Sequence, residues 1–320
     1  MPSAVFASPQ SAKEGGIDPA ALMAIKNLEL RAKIVVQGFW NGLHRSPYHG
    51  FSVEFTEYRQ YTPGDDPRYL DWRLFGRTDR YYIKKYEDET NLGCYLLVDN
   101  SRSMTFGSLS YNKAQYANTL AATLAYFLNT QGDAVGVVTF DDEIREYIPA
   151  RNRPGHLRQV MLALEKPAGG KDTDLSAPLL HIAQIVKRRG LVLLISDLLA
   201  PLEQLQKNLA ALAACGHEIV LFQVLDPAEM HFTFDAPMLF QDVESGRDLY
   251  IDPNVARKSY LKKLEAHLAG AQSICQRLGI SYVKFATDRA LELALFDFLH
   301  ARLERGKKFK KVGVRPGARA

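Results

Sequence analysis

An α/β fold, a doubly wound and mostly parallel sheet with helices on both faces, is expected of this sequence on three grounds. Short, wholly apolar runs recur from Cys94 onward, at Cys94–Val98, Leu191–Ile195 and Ile219–Leu225. They alternate with segments whose apolar residues fall at helical spacing. The alternation starts only near residue 92, which sets the first part of the chain apart as a smaller module. Strands that are apolar on both faces belong in a sheet covered on both, and the intervening helices supply the covers.

Taken in order, Pro19–Gly38 is expected to form one helix, with Leu22, Ile25, Leu28, Ala32 and Val35 along one face. Asn41 to Asp88 is rich in aromatics, arginines and acids without a helical stripe. Phe51, Val53 and Phe55 alternate there, as do Tyr82 and Lys84, which predicts a small β-rich module around a long polar loop. Cys94–Val98 is the first buried strand, and Asn112–Asn129 carries Ala117, Leu120, Ala121, Leu124 and Phe127–Leu128 on a helical stripe. Ala134–Phe140 is β-branched, with a turn at Asp141-Asp142 into Glu143–Ile148. His156–Glu165 and Leu175–Lys187 read as helices, Leu191–Ile195 as a strand, and Leu202–Ala214 as a helix ended by Gly216. Ile219–Leu225 is a strand, Pro253–Leu278 a long helix, Ser281–Phe285 a strand and Ala290–Arg305 a closing helix. The expected organisation is an N-terminal helix and β-rich module over 1–92, an α/β domain over 93–305 and a tail over 306–320.

Composition narrows the class. With 320 residues, 47% hydrophobic and 24% charged, the chain lies in the ordinary globular range, outside disorder, collagen and coiled coil. Cys94, Cys215 and Cys275 are scattered and without C-x-x-C spacing, which argues for a reducing compartment and against a disulfide framework or a zinc site. Met1–Gly16 has no basic stretch followed by an apolar one, so no signal peptide is expected. The apolar runs fall far short of the ~20 residues of a membrane span, and a cytoplasmic location is expected. The net charge of +4 is unevenly spread: Arg305, Lys307, Lys308, Lys310, Lys311, Arg315 and Arg319 close the chain. Without those seven, 33 basic residues face 36 acids, a balance of −3. The basic tail is expected either to keep the chain soluble or to touch a membrane surface, nucleic acid or an acidic partner.

In such a sheet a site is expected beyond the carboxyl ends of the strands. Cys94–Val98 runs into Asp99-Asn100-Ser101-Arg102-Ser103, and extended geometry turns Asp99, Ser101 and Ser103 to one side. A carboxylate and two hydroxyls are hard oxygen donors suited to Mg²⁺. Gly169-Gly170-Lys171-Asp172-Thr173-Asp174 precedes a helix, where Thr173 or Asp174 is equally a natural N-cap. Leu191–Ile195 ends in Ser196-Asp197, a second carboxylate at the same edge.

The series Asp99-x-Ser101-x-Ser103, Thr173, Asp197 resembles the metal-ion-dependent adhesion site (MIDAS) of von Willebrand factor A domains. The resemblance covers about Asn91 to Arg305 and implies that Asp99, Ser101, Ser103, Thr173 and Asp197 form the shell of a Mg²⁺ or Mn²⁺ ion. Two places depart from the family's usual pattern: Lys171-Asp172 separates the glycine pair from Thr173, and Leu198 follows Asp197 where glycine is frequent. Upstream, Glu54-Phe55-x-Glu57-x-Arg59-x-Tyr61-x-x-Gly64-Asp65-Asp66-x-Arg68-x-x-Asp71-Trp72, with Lys84 and Glu87, is similar to the bacterial domain-of-unknown-function fifty-eight family. That likeness implies a partnership with a MoxR-type AAA+ ATPase, in chaperoning or the maturation of complexes. The Asp/Arg/Trp module is read as an ion-pair network rather than a reaction centre.

An octahedral Mg²⁺ that keeps a position for water can accept a carboxylate from a protein client, which needs no turnover. No G-x-S-x-G elbow, P-loop spacing or H-E-x-x-H is present, and the eight histidines are dispersed. The expectation is therefore a non-enzymatic, metal-dependent adaptor. A metal-dependent phosphohydrolase using the same rim ranks second, and a nucleic-acid or membrane-surface binder acting through the tail third.

Overall fold

The computed structural model describes residues 16–45, 57–60, 82–85, 93–168, 176–186, 189–234, 238–241 and 248–299. The alternating Phe51, Val53 and Phe55, the Asp71-Trp72 stretch, the loop 169–175 with Thr173, and the basic tail lie outside the described residues.

The expected single helix at the start of the chain is two helices, α1 (Pro19–Met23) and α2 (Leu28–Arg45). The break has a local cause. Asp18 caps α1 by accepting from Ala20 N–H, and Asn27 Oδ1 accepts from Leu30 N–H at 2.7 Å, which starts a new helix. Apolar spacing runs through the break because both helices face one core: Leu22, Leu28, Ala32, Val35, Val36 and Phe39 are all buried in it. Part of the expected β-rich module is seen as the antiparallel pair β1 (Glu57–Gln60) and β2 (Tyr82–Lys85).

The central sheet contains β3 (Gly93–Asp99), β4 (Ala134–Phe140), β5 (Ile144–Arg151), β6 (Leu191–Ser196), β7 (Glu218–Leu225) and β10 (Ser281–Ala286), in the order β10-β7-β6-β3-β4-β5. Every neighbouring pair is parallel except β4 with β5. The exception follows from connection length, since a turn of three residues at Asp141–Glu143 permits only an antiparallel return. Side chains alternate across the sheet. Leu96, Val98, Leu193, Ile195 and Phe222 face α1, α2, α3 (Lys113–Thr130), α4 (His156–Leu164) and the closing helix α9 (292–299). Leu97, Val138, Val192, Leu194 and Leu221 face α5 (Ser176–Ile185), α6 (Leu202–Ala214) and α8 (Pro253–Leu278). Gly216, at φ 75°, follows α6 in the left-handed conformation that ends a helix. Between β7 and α8, where the sequence suggests no element, lie the short helix α7 (Pro227–His231) and the antiparallel pair β8 (Met238–Gln241) and β9 (Asp248–Ile251).

This strand order places the site. From β3 the chain moves to β4 on one side, and it later returns to β6 on the other. The carboxyl ends of β3 and β6 therefore flank a topological switch point, where the connecting chains leave toward opposite faces and where sheets of this kind bind ligands.

Candidate functional site

Asp99, the last residue of β3, is fully buried. Its Oδ1 accepts Ser101 N–H at 2.9 Å, and its Oδ2 accepts the Ser196 hydroxyl at 2.5 Å. A 3₁₀ turn over Arg102–Thr105 bends the chain so that the Ser101 and Ser103 hydroxyls stand 3.1 Å apart. Adjacent β6 brings Asp197, also fully buried, to the same rim. Burial, and then the charge of Asp197, push the Asp99 carboxyl up to about 6, although hydrogen bonds from Ser101 and Ser196 oppose the rise. Of the five residues singled out in the sequence, Asp99, Ser101, Ser103 and Asp197 thus meet at one rim, and Thr173 lies outside the described residues.

The loop after β6 is held from several sides. Leu198 N–H donates to Ser196 Oγ at 3.0 Å, and Leu199 N–H to Asp197 Oδ1 at 3.3 Å. Gln223 Nε2 on β7 donates to the Asp197 carbonyl at 2.7 Å, and Gln223 Oε1 accepts from the Tyr282 hydroxyl on β10. His267 Nε2 on α8 lies 2.9 Å from the Leu198 carbonyl. Leu198 itself has φ 56°, the left-handed conformation for which glycine is the unstrained choice. The glycine-to-leucine departure in the sequence therefore falls at a backbone position that favours glycine.

Three residues of this site were not singled out in the sequence. Ser196 bonds Asp99, as above. Lys113 is fully buried, and its Nζ donates to Asp197 Oδ2 at 2.8 Å and to Glu229 Oε1 at 2.6 Å. Burial works against its ammonium, but Asp197 and Glu229 more than offset that and raise its pKa. Glu229 is fixed in turn, because its Oε2 accepts Asp226 N–H at 2.9 Å in a capping box at the start of α7. Asp226 ties back to the loop after β3: it accepts Ser108 N–H at 2.9 Å and the Ser108 hydroxyl at 2.5 Å. The signal for Lys113 was present. It is the first residue of α3 and lies on the stripe of Tyr116, Ala117 and Leu120, so a cation sits at the positive end of a helix on its buried face. Such a charge requires acids brought by other elements.

The donors fit a hard divalent cation in kind. Two buried carboxylates of like charge and two hydroxyls gather at one rim, and among the described residues the neighbouring Asn100 Oδ1 is buried without a hydrogen-bond partner. A cation with several oxygen ligands would relieve both the repulsion and the orphaned acceptor. Among the described residues no group of three or more His, Cys, Asp or Glu side chains is placed to hold a metal, so the hydroxyls are essential to this donor set.

Comparison with known proteins gives a family but no activity. The profile described as "Protein of unknown function DUF58" matches residues 57–270. An uncharacterized protein of Mycobacterium bovis, Mb1516, is 31% identical over 288 residues, 88% of this chain and 90% of its own length. Among solved structures, the conserved hypothetical protein BatB from Bacteroides thetaiotaomicron superposes with a TM-score of 0.43 at 14% identity, over 65% of this chain and 98% of that one. The SpRpn10 VWA domain superposes with a TM-score of 0.37 at 13% identity, over 63% of this chain and 92% of that one. At scores of this size the architecture rests on the strand order and the two packed faces of the sheet themselves.

Proposed function

The chain belongs to the DUF58 family, and from that premise we propose that it is a divalent-metal-dependent adaptor of the von Willebrand factor A type, which captures a carboxylate of a protein client without turnover. The observation that carries the reading is the convergence of Asp99, Ser101, Ser103 and Asp197 at the switch point of the sheet. Asp99, Ser101 and Ser103, with Thr173 and Asp197, would hold Mg²⁺ or Mn²⁺, which when bound supplies an electrophile for an incoming Asp or Glu. The protein's part is to hold those oxygens still. Ser196 fixes the Asp99 carboxylate, while Gln223 and His267 anchor the following loop through the carbonyls of Asp197 and Leu198. A rim held this way suits recognition. The resemblance upstream of the sheet supports a MoxR-type AAA+ ATPase as the partner, and the scattered cysteines support a cytoplasmic setting.

The test takes a purified, nucleotide-free MoxR-type ATPase as the carboxylate-bearing protein and measures its capture by the full chain, in Mg²⁺ and in excess EDTA, for wild type and Asp99→Ala. Capture should need the metal and vanish in Asp99→Ala, with the far-UV circular dichroism of the variant unchanged. Equal capture in EDTA rejects the reading, and Mg²⁺-dependent phosphate release that is lost in Asp99→Asn replaces it with a phosphohydrolase.

A further inference from the structure

The internal ammonium changes what the rim can do with a metal. Lys113 Nζ sits on Asp197 Oδ2 at 2.8 Å with both side chains wholly out of solvent, and Asp197 Oδ1 accepts Leu199 N–H at 3.3 Å. Both oxygens of this carboxylate thus have partners within the chain. Asp99 differs: its partners are a backbone N–H and a hydroxyl, both neutral. Among the described residues no cation compensates the Asp99 carboxylate, whereas Asp197 has the Lys113 ammonium. Glu229 fixes the arrangement by holding Lys113 from the other side at 2.6 Å while being held itself by the start of α7. A neutralised, low-dielectric ion pair is costly to open, because one buried charge is left without its partner.

We propose that Lys113 is a built-in competitor for the metal: it occupies Asp197, leaves Asp99, Ser101 and Ser103 as the direct protein ligands among the described residues, and so keeps divalent affinity low. The proposal rests on the metal reading above, and its failure can be told apart from the failure of that reading. It narrows the donor set given above: Lys113 and Glu229 set the affinity, and Asp197 is held back at the rim and becomes a direct ligand only when the ammonium is gone.

Binding of Mn²⁺ to the full chain, followed by electron paramagnetic resonance of the free ion, supplies the test. Lys113→Met alone leaves buried Asp197 and part-buried Glu229 without their cation, and it is a folding risk. The variant of choice is therefore Lys113→Met with Glu229→Gln, which removes one positive and one negative charge and leaves the formal charge of the network unchanged. Release of Asp197 should tighten Mn²⁺ binding by about tenfold, the order expected for one added carboxylate ligand in a partly buried site. Asp197→Asn should abolish the whole gain in the double variant and cost less in the wild type than it does there, a coupling that places position 197 in one network with 113 and 229. Equal affinity of wild type and double variant, or additive effects of Asp197→Asn, overturns the proposal and leaves the metal reading standing. Binding by the double variant alone upholds the competitor and rejects a metal role for the native chain, and binding by neither rejects both.

Discussion

Leu198 shows how a single residue carries opposed demands. Its backbone is left-handed at φ 56°, and its side chain is fully buried in the same core as Leu97, Leu194 and Leu205. Glycine would relax the backbone, but leucine fills the core beneath the rim. The two demands separate in a pair of substitutions. Leu198→Ala keeps the strained conformation and loses the packing, at about 2–5 kcal/mol. Leu198→Gly loses the same packing but is free of the left-handed penalty, on the order of 1 kcal/mol. Urea unfolding should find the glycine variant more stable than the alanine variant, the reverse of the usual order in regular structure, and the usual order would show that the loop is unstrained. The sequence marks this position only as a departure from a glycine, because no pattern in a linear chain reports φ. Lys113 is legible in the same partial way. Its place on an apolar stripe announces that it needs acids, but Asp197 and Glu229 are 84 and 116 positions away, and only folding says which acids answer.

Elements were most readable where one period dominated. The buried strands and the helices Lys113–Thr130, Leu202–Ala214 and Pro253–Leu278 lie within a residue or so of their expected bounds, since apolar spacing and capping residues agree there. Where two signals competed, the capping side chain won, as at Asn27. The β4–β5 hairpin has a finer constraint. Register shifts fall between Val135 and Val137 and between Thr139 and Phe140, and Gly136 lies beside the first. A Cβ at Gly136 would come within 2.6 Å of Ala150 N and 2.7 Å of Ile148 O, both backbone atoms that yield only if β5 moves away. Gly136→Ala should therefore destabilise the protein by about 1–3 kcal/mol, the usual range for overpacking, and lower the thermal midpoint. An unchanged midpoint would mean that the edge strand is loosely held. The pair β8 and β9 went unread because four-residue strands offer too few positions for alternation to stand out.

At the scale of the molecule, the helix that the sequence groups with the N-terminal module lies in the core of the sheet domain. Phe39 on α2 meets Trp40, Phe127 of α3 and Phe296 of α9 edge-on, with ring centroids 5.4, 5.9 and 4.7 Å apart. Phe39→Ala should cost about 3–5 kcal/mol and shift one shared unfolding transition, as for any large core aromatic. A separate early transition, with the sheet's midpoint unmoved, would show α2 to be an independent unit. The α/β class, the run of buried strands and the kind of donors at their carboxyl ends were legible before folding, since these follow from periodicities and side-chain chemistry that are local to each segment. It took the folded chain to show that α1 and α2 belong to the main core, that β3 and β6 are neighbours at a switch point, and that Lys113 stands on Asp197. Those facts depend on contacts between positions remote along the chain, and it is the packing of whole faces against one another that selects them.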